Sequence, residues 1–229
     1  MTMLIAAAAA FVLLHLLIAG TPVRGMIVTL TGEGVYLGLF SLATLAALVW
    51  MIIAFAAARS DPANTTLWTL MPQARHGVIG LVLIAFLFMI PGLLTNSPTR
   101  VQGGSVLDKP NAITGMTRIA RHPFLWGIVI WAAAHLIANG RLADLILFGS
   151  LLILGLLGPP SIDTKRMRAL GERYAAFKAQ TSNIPFAAIL QGRQTLKFGE
   201  IWWRLLVAVI VFVGVLMVHR YAFGVSPLG

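Results

Sequence analysis

Cysteine is absent from all 229 residues. That excludes disulfides, thiolate metal sites and a cysteine nucleophile, and it says nothing about compartment. Charge is nearly as scarce. Only 10% of residues are charged and only seven are Asp or Glu, where a soluble domain carries roughly 25% charged residues to cover its surface. Apolar residues fill the space, at 59% of the chain with a mean hydropathy of +0.88. The chain therefore reads as an all-α integral membrane protein with one polytopic domain over residues 1–229. Its formal net charge of +10 has no soluble domain to sit on. Topology and contact with anionic lipid head groups account for it better than nucleic-acid binding does.

The most informative stretch is Gly115 to Asn139, GMTRIARHPFLWGIVIWAAAHLIAN. A basic, polar entry (Arg118, Arg121, His122) runs straight into an apolar segment carrying His135. Proline is tolerated in the first turn of a helix, so Pro123 reads as N1 or close to it. Arg121 and His122 then stand at the mouth of a membrane helix.

In chain order, residues 3–19 form a first span, closed by Gly20-Thr21-Pro22. Its start lacks the positive region of a signal peptide, so it is read as retained. His15 on this apolar helix is costly in lipid and is expected to face the protein interior; a hydrogen-bonded packing histidine is the competing reading. Further spans are expected over 35–58, 77–94 (bent or ended near Pro91-Gly92), 118–138, 142–157 and 201–221, six in all. The loop after the second carries Trp68, an interfacial anchor by type. The polar connection over 95–117 is read as a fold-back under the membrane. Gly158-Pro159-Pro160 is expected to end the fifth span. Residues 161–180 follow as an amphipathic interfacial helix, because Met167, Leu170, Tyr174 and Phe177 fall at helical spacing among charged neighbours.

With six spans, four of the seventeen Lys and Arg residues fall on one side and thirteen on the other. The positive-inside bias makes the thirteen-cation side cytoplasmic, with both termini outward, as in a bacterial inner-membrane protein. His15 and His122 then share one inner layer, His15 lying about 7 Å of helical rise from Gly20. Imidazole is an axial haem ligand, so His15 and His122 are the candidate metal ligands for a haem b held between two helices. Arg118 and Arg121 are the candidate propionate partners, since guanidinium forks suit carboxylates. His76, His135 and His219 fall near the outer ends of their spans, where histidine is tolerated without a role.

The sequence resembles the NnrU family of bacterial membrane proteins. The residues that carry the resemblance are His15 with Thr21-Pro22-Val23-Arg24, Gly32-Glu33, Ser41-Leu42-Ala43 to Trp50, Leu67-Trp68, and above all Thr117 to Gly127 with Trp131 and Ala134-His135-Leu136. The resemblance implies a link to denitrification through nitrite and nitric oxide reductase expression. The family is in turn similar to the plant 15-cis-zeta-carotene isomerases, membrane haem b enzymes with an Arg-His-Pro histidine and an early-span histidine at the haem. Carried over, those histidines match His122 and His15, and the implied partner is an apolar polyene. A second resemblance covers about a third of the chain, in its C-terminal part. Arg121 to Gly127, Gly171-Glu172 with Tyr174 and Phe177, and Ile184-Pro185 look like isoprenylcysteine and phospholipid methyltransferases. That implies S-adenosylmethionine beside His122 and Glu172, although Phe124 and Phe177 replace tyrosines common there and Glu172 stands alone where a Glu pair is frequent. A non-enzymatic assembly or regulatory factor, its histidines only packing, is the third reading.

Overall fold

The computed structural model describes residues 1–229 and is helical throughout, with no strand beyond an isolated bridge between Thr66 and Arg141. Nine α-helices follow one another: α1 Thr2–Leu13, α2 Val23–Thr31, α3 Glu33–Ala58, α4 Arg75–Leu94, α5 Pro123–Ala138, α6 Leu142–Leu170, α7 Glu172–Gln180, α8 Ala187–Leu190 and α9 Trp202–Phe223. A π-helical stretch, Leu14–Ile18, extends α1, and short 3-10 turns lie at Gly103–Asp108, Gly115–Arg118 and Phe198–Glu200.

Four helices (α3, α4, α6, α9) are long and apolar enough to cross a membrane. A fifth span is available if the bent pair Thr2–Ile18 and Val23–Thr31, turned by 78°, counts as one. This makes the chain a multi-pass membrane protein. The fourth expected span, 118–138, is α-helical only over α5, whose 16 residues make about 24 Å at the α-helical rise, short of a hydrocarbon core of roughly 30 Å.

Between the first two expected spans, where the sequence offers a short loop, α2 fills Val23–Thr31. Contrary to expectation, Gly158-Pro159-Pro160 does not end a helix or begin a separate interfacial one. The α6 helix runs through Pro159 and Pro160 for 29 residues: proline's fixed φ is helical, and in a membrane helix the lost amide bonds and the ring's clash with the preceding turn are accommodated locally. The break comes at Gly171, whose φ of +52° suits glycine and stops the helix. The expected amphipathic stripe is thereby divided between two helices. Its second half is core, with Tyr174 at 0% and Phe177 at 3% exposure. Pro91 does not end α4, which continues to Leu94.

The chain divides into two compact units. The first comprises Met1–Ala74 and Ala132–Ser161. Its core is built from small and flexible residues: Leu4, Ala7 and Ala8 of α1 against Met51, Ala54 and Ala58 of α3, with Ala143 of α6. Between apolar helices in lipid, small side chains let backbones approach, so packing replaces the hydrophobic drive available in water. Trp68 joins this unit: its indole Nε1 donates to Leu136 O at 2.9 Å, and its backbone lies so close to Gly140 that no Cβ fits there. It therefore holds the α5–α6 turn.

The second unit comprises Arg75–Trp131 and Ile162–Gly229. Here α4 packs on α9 through Phe86 and Phe212, rings 5.8 Å apart, and on the start of α5. Gly92 lies against the backbone of Phe124, and Gly127 against Met89 and Ala85. A Cβ at Gly127 would stand 2.7 Å from Met89 N and 2.8 Å from Ala85 O, so the contact is backbone to backbone. Gly127→Ala should therefore destabilise this unit by about 1–3 kcal/mol through overpacking, read as a lower melting temperature of the detergent-purified protein, whereas Gly214→Ala, with open space around it, should leave it unchanged.

Candidate functional site

The Arg-His-Pro motif lies inside the second unit, and Asp163 organises it. Burying a carboxylate requires a countercharge and hydrogen-bond donors, and Asp163, 8% exposed, has both. Its Oδ1 accepts from His122 Nε2 at 2.8 Å and from the Tyr174 hydroxyl at 2.6 Å. Its Oδ2 accepts from Arg121 Nη1. The remaining guanidinium donors are used as well: Nε reaches Thr181 Oγ1 at 2.9 Å, and Nη2 reaches the carbonyls of Lys178 and Thr181 at 3.0 and 3.1 Å. Arg121 N donates to Ser182 O at 2.7 Å. Three segments (the entry to α5, the end of α6, and α7 with its following loop) thus meet at one ion pair.

The partners fix the tautomer. An ionised carboxylate only accepts, so His122 carries its hydrogen on Nε2 and, when neutral, its lone pair on Nδ1. Tyr174 is held well above the usual phenol range, first by burial and then by donating to Asp163. It therefore stays protonated and remains a donor throughout the physiological range.

Arg118, one turn upstream, serves a different junction. Its Nε and Nη2 bind Glu200 at 2.9 and 3.1 Å, and Nη1 binds Gln194 Oε1 at 2.9 Å. Glu200 also accepts from Gly115 N at 2.6 Å. The Arg118 hydrogen bond, with that of Gly115, holds the Glu200 carboxyl below its usual range. Both arginines are thus saturated by protein acceptors, and a propionate at either would have to displace Asp163 or Glu200.

His15 lies in the first unit, within the π-helical stretch, where Ala19 N donates to Leu14 O in the i to i+5 pattern. Such π segments recur at functional positions. His15 Nδ1 donates to Phe11 O at 2.8 Å, which leaves the Nε2 lone pair open. The imidazole heads a column of rings: Phe11 at 4.6 Å, Phe40 at 5.7 Å, and Tyr36 stacked on Phe40 at 5.7 Å. Arg24 caps the Tyr36 ring at 5.2 Å. The Tyr36 hydroxyl is buried and has no hydrogen-bond partner. His15 and His122 therefore belong to different units, and no cluster of three or more His, Asp or Glu side chains is placed to hold a metal ion by itself. Of the other histidines, His135 stacks near Phe148 at 4.8 Å, His219 Nδ1 donates to Val225 O at 2.8 Å, and His76 is exposed.

Asp163, Thr181 and Glu200 carry the site without having been singled out from sequence, and Tyr174 stood there only in the apolar stripe and the methyltransferase resemblance. Asp163 and Tyr174 are eleven residues apart, which on one unbroken helix would put them on the same face but about 16 Å apart along the axis, so they touch only through the break at Gly171. A surface cavity of about 680 Å³ opens beside the ion pair, lined by Arg121 and Asp163 together with residues of α7 and the 181–184 loop. Neither His122 nor Glu172, the two residues the methyltransferase resemblance nominates, lines it.

Two predictions follow from the charges. Asp163→Ala should cost roughly 3–5 kcal/mol by stranding a buried guanidinium, and Tyr174→Phe roughly 1.5–3 kcal/mol for one hydrogen bond to a charged acceptor, both measured as shifts in thermal unfolding. Glu200 is depressed in the fold, so its contribution is complete above its unfolded value of about 4.3 and is lost as pH falls through the lower folded value. The melting difference between wild type and Glu200→Gln should accordingly shrink as the buffer is taken from neutral toward pH values below that range.

The family pattern described as NnrU protein matches residues 3–227. The maize 15-cis-zeta-carotene isomerase, chloroplastic, is 33% identical over 174 residues, which are 73% of this chain and 45% of that protein. The Arabidopsis thaliana protein of the same name is 30% identical over 172 residues, with the same shares. The chain thus spans about half the length of the curated relatives it matches. No solved structure matches it. With the family pattern covering nearly all of its length, the chain belongs to the NnrU family.

Proposed function

We propose that the protein is a carotenoid-isomerase-like membrane protein that takes a long apolar polyene from the bilayer, with haem b as its prosthetic group. The observation that carries the reading is the state of the His15 imidazole. Its Nδ1–H is tied to a backbone carbonyl at 2.8 Å and its Nε2 is open. This is how proteins orient a metal-ligating histidine. The isomerase relatives supply the substrate class.

The side chains fit such a group in kind. His15 stands among aromatic rings, Phe11 tilted against it and Phe40 edge-on, that offer apolar walls to a macrocycle, and the unpartnered Tyr36 hydroxyl beside them is a donor awaiting an acceptor. His122 is prepared in the complementary sense: Asp163 takes its Nε2–H, the carboxylate–histidine pairing that raises ligand basicity, and its lone pair is on Nδ1. Since Arg118 and Arg121 are saturated by Glu200 and Asp163, we assign them to holding the motif in place. When bound, haem supplies an iron that can engage a conjugated double bond and ease rotation about it. The protein's own residues present each imidazole in one tautomer, through Phe11 O at His15 and Asp163 at His122.

The test is an absorbance spectrum of the purified protein supplied with haem, oxidised and dithionite-reduced, beside His15→Ala and His122→Ala. A Soret band in wild type that weakens or shifts in His15→Ala is expected, and loss of the reduced alpha band in both variants would make both histidines axial ligands. No Soret band with haem in excess would overturn the cofactor. If haem binds but 15-cis-zeta-carotene in liposomes is not isomerised, the substrate class fails instead.

A further inference from the structure

The cavity beside Arg121 and Asp163 is left unused by the proposed chemistry, and its charge is unbalanced. Of its lining residues, Arg121 and Asp163 neutralise each other. Lys178 and Arg193 line it too, and neither forms an ion pair. Arg193 spends its donors on neutral acceptors, the carbonyls of Ala179 and Thr181 and the Gln191 amide, which leaves its charge uncompensated. The cavity wall therefore carries a net excess of two positive charges. Asn183, also in the wall, has a buried Oδ1 that accepts no hydrogen bond. Buried acceptors of this kind are satisfied in nearly all proteins, so a donor is missing here.

Ile184 of the cavity lining is 65% exposed. Along the chain it is followed by exposed Leu190 (84%) and Phe198 (63%), and by Trp202 and Trp203 at the start of the span-length helix α9. Lys197 lies among them. Exposed aliphatic and aromatic side chains interleaved with cations mark a surface that lies in the head-group layer, tryptophan above all.

We propose that this cavity is a head-group site for an anionic phospholipid with a hydroxylated head, its phosphodiester held between Lys178 and Arg193, its hydroxyl donating to Asn183 Oδ1 once that amide, whose oxygen is sealed from solvent here, turns outward, and its acyl chains leaving over Ile184. Charge complementarity selects an anion, the unsatisfied acceptor selects a head group with a donor, and the exposed apolar residues from Ile184 onward select a lipid over a soluble phosphate. Phosphatidylglycerol has all three properties. Phosphatidylcholine has neither the net charge nor the donor.

The experiment is native mass spectrometry of the full chain released from nanodiscs of mixed phosphatidylglycerol and phosphatidylcholine, counting each lipid retained. Lys178 is exposed and engages only through its backbone carbonyl, so Lys178→Gln should fold normally, which an unchanged melting temperature confirms. It should lose phosphatidylglycerol retention roughly fivefold, the worth of one cation near an anionic surface. Lys197→Gln, a neighbouring cation outside the cavity, should retain wild-type levels. Equal loss in both variants would mean general surface attraction and overturn the site, as would no loss in Lys178→Gln. Displacement of the lipid by soluble glycerol phosphate at equal concentration would overturn the lipid in favour of a soluble ligand.

Discussion

A carboxylate cannot be left alone in an apolar interior, and the second unit is arranged around that requirement. Asp163 brings its charge into the protein near the end of α6 and is met by one guanidinium, one imidazole and one phenol. Each donor comes from a segment with little other reason to meet the others. Arg121 and His122 precede α5, and Tyr174 lies on α7, past the glycine that ends α6. Because an unpaired buried charge costs far more than a well-satisfied one gains, these segments are fixed relative to each other. The Arg-His-Pro motif is rigid for that reason.

The same requirement sorts the arginines. Both stand in the motif, and both look from the sequence like free forks for a carboxylate ligand. Both find their carboxylates within the protein, Arg121 in Asp163 and Arg118 in Glu200. Lys178 and Arg193, which form no ion pair, give the cavity wall its charge instead. Electrostatic availability therefore follows from who else is buried nearby, which no motif records.

The first unit solves a different problem. Its helices meet through alanine and methionine rather than charge, as suits packing in lipid. Beside the ion pairs of the N-terminus with Asp61 and of Arg24 with Glu33, its polar feature of interest is His15, in the π-helical stretch before the bend. Its ring has one nitrogen tied to Phe11 O and meets Phe40 edge-on, and Phe40 in turn stacks on Tyr36.

Much of this was legible in the sequence, for stated reasons. Scarce charge and long apolar runs determine a helical membrane protein, since only helices of that composition satisfy their backbone in lipid. Pro123 determines where α5 begins, and the motif residues that carry the family resemblance are local. What lay beyond reach were features decided by register and turning. Pro159-Pro160 reads as a stop, yet the helix passes through it, while Gly171, named from the sequence only within the methyltransferase resemblance, ends it at positive φ. That turn makes Tyr174 core and brings it to Asp163. The sequence by itself determined the class, the family and the two histidines of interest. Only the tertiary structure decided that Asp163 is their neighbour's anchor, that Arg118 and Arg121 are spent, and which cations remain. Pairing of buried charges is a property of three-dimensional proximity, and proximity across α6 and α7 depends on one backbone torsion.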